Sequence, residues 1–299
     1  MGNFKIPNLT HNHIRMFRKP SIILLLSAGL FSISAQQTIP FRITKHNNII
    51  VKTLVNKKDS LDLMFQIAME DASISPERHH KADHIIFDKD DVSNDNTVQI
   101  GKMNLNKVRF FNNELTGHEA DGKIGTGMFT GKSFKIDYDN NRFEIYDKEP
   151  DLNGYQGIML FHENGQFFIN ADNVIDGKQQ QEAYFLLQSG YSGAILYSNA
   201  FAEEKELDKL LKTTSEKTMK NSSGESIVTK QGILPFFKLN NSVLKDVPAG
   251  FFTGKHKTQT VSYLGADMLK RFNWIFDADR KKVYIKPSKY FSEPYYKMN

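Results

Sequence analysis

The chain repeats itself. Residues 124–146 (IGTGMFTGKSFKIDYDNNRFEIY) align without a gap to 264–286 (LGADMLKRFNWIFDADRKKVYIK). Gly125/Gly265, Met128/Met268, Asp137/Asp277, Asp139/Asp279 and Ile145/Ile285 are identical, and Ile124/Leu264, Phe129/Leu269, Phe134/Trp274 and Ile136/Phe276 keep apolar positions apolar. Upstream, Leu105-Asn106-Lys107-Val108 falls opposite Leu244-Lys245-Asp246-Val247 at nearly the same offset, and Leu63-Met64-Phe65-Gln66-Ile67-Ala68 matches Phe185-Leu186-Leu187-Gln188-Ser189-Gly190. One such pairing arises by chance between β segments; an ordered set does not. Two copies are too few for a solenoid. The predicted organisation is therefore a pseudo-twofold pair of units, residues 36–149 and 150–299, behind an N-terminal segment of different character.

Within each unit short apolar runs alternate with polar turns: Ile49–Leu54, Leu61–Phe65, Val108–Phe111, Phe134–Ile136 and Phe143–Tyr146. This spacing predicts an all-β chain of barrel-like units with few short helices. The clearest helical pattern is Ala200–Leu211, with Leu207, Leu210 and Leu211 on one side. Asn94-Asp95-Asn96 and Asn221–Ser226 read as exposed loops.

Residues 1–35 read as a secretory signal: Arg15, Arg18 and Lys19 precede an apolar run from Ser21 to Ile33, followed by Ser34-Ala35. The run is short for a membrane span, which makes an uncleaved anchor the rival reading. Met16 is an alternative start, because the stretch before it is long for such a region. This segment also distorts the charge. The chain has 39 Lys+Arg against 34 Asp+Glu, a formal +5, but residues 1–35 hold Lys5, Arg15, Arg18 and Lys19 and no acid. The remainder, 35 against 34, argues against nucleic acid as a partner. With no cysteine, there is no disulfide, thiol nucleophile or lipid attachment at cysteine. The expected mature protein is periplasmic or secreted and off the membrane.

The ordered segments resemble the aspartic proteases, specifically the two-repeat bacterial retropepsin-like proteins. In that family an apolar strand enters Asp-Thr/Ser-Gly in each repeat, an apolar-apolar-Gly segment follows, and a hairpin closes the unit. Here Tyr184–Leu187 leads into Gln188-Ser189-Gly190, Asp121–Gly125 and Tyr263–Gly265 look like the later segments, and Asp267–Phe272 with Phe276-Asp277 looks like the closing pair. The resemblance implies the acid-protease fold and a central cleft, with no cofactor or metal. One chain supplies both repeats, so a monomer suffices to build the cleft.

At the positions of the family's two aspartates this chain has Gln66 and Gln188. The first triplet is Gln66-Ile67-Ala68, without hydroxyl or glycine; the second keeps both, as Ser189 and Gly190. The hydroxyl and the tight turn hold the two loops together in such enzymes, so at most half of that cross-link is implied. A carboxylate dyad shares a proton, one member acting as base toward water. An amide has no form that accepts that proton near neutral pH, and loss of a positioned base typically costs ~10²–10⁴ in rate. Gln is also a methylene longer than Asp and crowds the site of the attacking water. Two facing amides are expected to hydrogen-bond reciprocally, leaving a neutral cleft that binds an extended peptide or protein segment by strand addition. Two alternatives stay open: an active peptidase with another catalytic group, for which Glu70 and Asp71 lie close by in sequence, and a purely structural β protein.

The remaining constellations are weaker. Glu77-Arg78-His79-His80 with Asp83 and His84 reads as a solvated histidine-rich loop, since it lacks the Glu of a His-Glu-x-x-His helix. His118 reads as a surface turn residue. Ser192 and Ser222 sit in no Gly-x-Ser-x-Gly elbow. Tyr290, Phe291, Tyr295 and Tyr296 are expected to pack on the body.

Overall fold

Apolar and β-branched side chains at alternate positions build strands that bury one face, and here those strands close on themselves twice. The computed structural model is described over residues 37–177, 179–220, 226–254 and 258–297, and all of these belong to one unit. In the first half, Ile49–Val55, Asp59–Phe65, Gly122–Ile124, Ala72–Ile74, Met103–Phe111 and Val92–Ile100 pair in that order, and Leu54↔Gln99 and Val55↔Val98 close the ring. In the second half, Gln166–Val174, Gln180–Gln188, Ser262–Gly265, Ile195–Leu196, Ser242–Thr253 and Ser226–Leu239 do the same, closed by Asp172↔Lys238, Asn173↔Phe237 and Val174↔Phe236. Lys212–Lys220 extends the second barrel as a hairpin with Ser226–Leu239. Among the described residues, no helix is long and apolar enough to cross a membrane.

A third sheet joins the barrels. Its order is Gln37–Pro40, Arg142–Tyr146, Ser133–Asp137, Phe272–Phe276, Lys282–Pro287, Gln156–Met159, so each half contributes the mirror sequence of the other. The central antiparallel pair has Phe134↔Phe276, Lys135↔Ile275 and Ile136↔Trp274. Under the offset that aligns 124–146 with 264–286, the first pair maps onto the third and Lys135↔Ile275 maps onto itself. The pseudo-twofold axis therefore passes through that middle pair. The repeated glycines have a shared reason: a Cβ on Gly125 would meet Met69 O at 2.4 Å, and one on Gly265 would meet Gly193 O at 2.2 Å. Each lies where a strand end crosses the backbone of the loop after the triplet.

Aromatic rings fill the space behind this sheet. Phe129 stacks on Phe134 (4.1 Å between centroids), Phe134 on Phe276 (4.6 Å) and Phe276 on Phe167 (5.4 Å), linking both halves in one buried core.

Two expectations need correction. The Ala200–Leu211 helix is two short helices, Asn199–Glu204 and Leu207–Leu210, broken where Glu206 adopts a left-handed φ of 49°. The break lets Leu207 and Leu211 reach the core while Leu210 stays exposed. Asn94-Asp95-Asn96 is no loop but a bulged part of Val92–Ile100, with Asp95 at φ 61° and register shifts around Asn96. Asn96 is buried because its own bonds replace the interrupted ladder: its Nδ2 donates to Ser93 O and Val108 O, and its Oδ1 accepts from Asn56 Nδ2. Residues 221–225 of the other expected loop, and the signal in residues 1–35, lie outside the described residues.

Because Phe276 is fully buried and touches rings from both halves, Phe276→Ala is expected to cost ~3–5 kcal/mol. Urea unfolding should show a lower midpoint in a single transition; two separate transitions would contradict a shared core.

Candidate functional site

Asp59–Phe65 and Gln180–Gln188 each run parallel to the later strand of their own repeat (Phe65↔Ile124, Leu187↔Leu264) and deliver the two triplets to the axis. Ser189 ties them together: its Oγ accepts from Ile67 N–H (2.9 Å) and lies 2.8 Å from Phe65 O, its acceptor. Ile67 is fully buried and has no hydroxyl to return the contact. Two residues that sequence reasoning missed supply other bridges. Asn47, at φ 66°, donates through Nδ2 to Ser192 O (3.1 Å), and Asn48 donates to Ser189 O (2.8 Å). Both are buried in a turn braced by Thr44 Oγ1. An "Asn-Asn after a short strand" pattern carries no signal for a cross-repeat contact.

The expected reciprocal pair of amides does not form. Gln66 Oε1 lies 3.0 Å from Ser189 Oγ and 3.1 Å from Gly190 N, while Gln188 Oε1 lies 3.2 Å from the same Gly190 N. Both carbonyls converge on one backbone N–H. Among the described residues, neither Nε2 donates a hydrogen bond within the protein. Gly190 permits this closeness, since a Cβ there would sit 2.8 Å from Gln66 Nε2.

These amides line a cleft of about 490 Å³, together with Gly190, Tyr191, Ser192 and Tyr263 of the second repeat and His46, Asn48, Met64, Thr116, His118 and Lys123 of the first. Ala68 is buried and is not among the lining residues. Among the described lining residues there is no Asp or Glu.

No family model matches the sequence, and no curated protein matches it. In structure the chain is similar to the aspartic proteinase from Irpex lacteus, with a TM-score of 0.55 over 86% of this chain and 98% of that one, at 10% identity. The fold is that of the aspartic proteinases. At that identity the likeness is one of architecture.

Within this aspartic-proteinase fold the other acids near the first triplet face away. Asp71 pairs with Arg109, and it lines with Glu70 a separate cavity beside Met128. Asp121, immediately before the later strand of the first repeat, is buried and accepts from Asp62 N, His79 N, His80 N and His80 Nδ1. Burial pushes its carboxyl up, but these donors outweigh burial and hold it below the usual carboxylate range. His80 is raised in turn by its hydrogen bond to Asp121. His84 makes the same kind of contact with buried Asp59 through both its backbone N and its ring. The histidine-rich loop is thus pinned to the barrel by two aspartates, and among the described residues no group of three His, Asp or Glu is placed to hold a metal.

His118 is exposed but lines the cleft, 6.3 Å from the His46 ring, so it belongs to the cleft rim. Ser192 lines it too; Ser222 lies outside the described residues. Tyr290, Phe291 and Tyr295 pack on the core, Tyr295 against the guanidinium of buried Arg271 at 3.9 Å. Tyr296 reaches the rim and bonds His46 Nδ1 (2.6 Å).

Ser189→Ala removes one acceptor and one donor at a buried junction, an expected loss of ~1–3 kcal/mol in urea unfolding; an unchanged midpoint would deny the cross-link. Asp121→Asn sets an amide nitrogen against backbone donors and should cost a similar ~1–3 kcal/mol near neutral pH. The lowered native pKa stabilises the fold above the ordinary carboxyl value of 3.8 and is lost as pH falls through the native value below it. The gap in stability between wild type and Asp121→Asn should therefore narrow only in strong acid. A gap already closed at pH about 5 would contradict this reading.

Proposed function

We propose that this is an exported protein that uses an aspartic-proteinase fold to bind extended peptide or protein segments in its central cleft without hydrolysing them. The observation that carries the reading is an open cleft whose floor is made of two uncharged amides, Gln66 and Gln188, with no carboxylate among the described lining residues. Hydrolysis by this architecture needs a group that takes a proton from water, and a glutamine amide does not do so near neutral pH. The Irpex lacteus protein is described as a proteinase; in this chain the same scaffold retains the groove and lacks the titrating pair. Export is supported by the basic stretch and the Ser21–Ile33 apolar run. A groove of about 490 Å³ favours binding over a purely structural role, for which the cleft would be filled.

Strand addition suits the site. Backbone bonds supply affinity in that mode, and the two free Nε2 groups offer donors to carbonyls of a bound chain. A monomer suffices, since one chain contributes both walls.

In a casein and peptide-library assay from acidic to neutral pH, no turnover above background is expected. Pepstatin-sensitive cleavage would overturn the proposal. Gln66→Asp with Gln188→Asp should also recover little activity, because Ile67-Ala68 still lacks the hydroxyl and glycine of the turn; efficient cleavage by the double variant would show that the first triplet is competent as it stands.

A further inference from the structure

We propose that the cleft selects proline-bearing extended segments, an inference that rests on the peptide-binding reading above and names its ligand class. The Gly190 N–H can be satisfied only by oxygen, so it turns both amide carbonyls inward, with Gln66 Oε1 at 3.1 Å and Gln188 Oε1 at 3.2 Å. Both Nε2 groups are then donors with no partner among the described residues. The backbone beside them offers few acceptors in return. In the loop that carries Gln188, the carbonyl of Gln188 accepts from Tyr191 N (3.2 Å) and that of Tyr191 from Ala266 N (2.7 Å). The carbonyls of Ser189 and Ser192 accept from Asn48 Nδ2 (2.8 Å) and Asn47 Nδ2 (3.1 Å). Among the described lining residues no Asp or Glu adds an acceptor. The floor donates and scarcely accepts.

An ordinary extended segment brings a carbonyl and an N–H at every residue. Its carbonyls suit the two amides, but an N–H set against this floor meets donors, and a donor left unpaired at a contact is costly. Proline keeps the carbonyl and has no N–H. It is the residue that leaves neither side of the contact unpaired.

The rings of the lining suit the same ligand. Each repeat contributes a pair: Tyr191 and Tyr263, 6.4 Å between centroids, from the second, and His46 and His118, 6.3 Å apart, from the first. Proline-rich segments dock in grooves lined by aromatic side chains, and their preset backbone lowers the cost of ordering. Tyr191 is itself preset. A Cβ on Gly193 would lie 2.7 Å from its Oη and one on Gly265 2.5 Å from its Cδ1, so the two glycines leave a slot that the ring fills. Rings alone do not single the cleft out. The cavity beside Phe161, Phe168 and Tyr184 has them too, but there Glu163 and Asp279 supply acceptors. The cleft combines rings with a donating floor.

The test uses three fluorescent, end-blocked peptides of one sequence, with proline, alanine or N-methylalanine at the same alternate positions, titrated by anisotropy into the purified protein. N-methylalanine has neither an N–H nor a ring, so it separates a missing donor from ring packing. The proline peptide should bind about tenfold tighter than the alanine peptide, with the N-methylalanine peptide much closer to proline than to alanine. Gln188→Glu replaces one floor donor with an acceptor while Gln66 Oε1 still accepts from Gly190 N–H, and should bring the proline and alanine peptides to within about threefold of each other. Equal binding of the proline and alanine peptides to the wild type would overturn the selectivity and leave peptide binding standing. An N-methylalanine peptide that binds no better than alanine would overturn the missing-donor account. An undiminished proline preference in a folded Gln188→Glu protein would overturn the assignment to this floor. Binding of none of the three would overturn both readings.

Discussion

The strand pair Ser133–Asp137 and Phe272–Phe276 sets everything else in this molecule. Its register places Lys135↔Ile275 on the axis and Phe134 opposite Phe276. A slip of one residue would turn every side chain of one strand to the other face. The stack of Phe129, Phe134, Phe276 and Phe167 would then lose its alignment. The hydrophobic cost of opening that core fixes the orientation of the two barrels, and hence the positions of the two loops at their meeting point. The triplets do not hold each other at the axis unaided; they are delivered there.

That delivery explains how an asymmetric centre persists on a symmetric frame. A symmetric cross-link would need a hydroxyl at both 67 and 189, and Ile67 has none. With the separation already set by the shared sheet, the chain retains one strong contact through Ser189 Oγ and adds Asn47 and Asn48 from an unrelated turn. Ser189 Oγ acts on the backbone of the loop carrying Gln66, and the two asparagines act on backbone carbonyls of the loop carrying Gln188. The junction is thus bound by three residues from two places in sequence, where a repeat taken by itself suggests a single motif used twice.

The same distinction separates what was legible in the sequence from what was not. The ungapped match of 124–146 with 264–286 reports a shared sheet because side-chain alternation and close-approach glycines act within each copy. Gln66 and Gln188 were legible for the same reason: each follows an apolar strand at a fixed offset. Asn94–Asn96 misled because turn-type residues also make bulges, and only the partners Asn56 and Val108 decide between the two. Ala200–Leu211 misled because periodicity does not register the tilt needed to bury both Leu207 and Leu211. His46 and Asn48 were invisible, and Tyr296 was expected only to pack on the body, since their role depends on distant segments meeting at the rim.

The amide floor has its own logic. Two carboxylates this close to one another would repel unless they shared a proton, so their state would follow pH. Two amide oxygens instead share a single donor, the Gly190 N–H, at 3.1 and 3.2 Å, and neither changes charge. Committing both oxygens inward leaves both nitrogens as donors at the cleft. A carboxylate pair presents mainly acceptors to a bound chain, which suits water and opposes a peptide carbonyl. The amides reverse that polarity, since both nitrogens are donors and neither oxygen carries a charge. Lys123, His46 and His118 line the same cleft, and among its described lining residues there is no carboxylate.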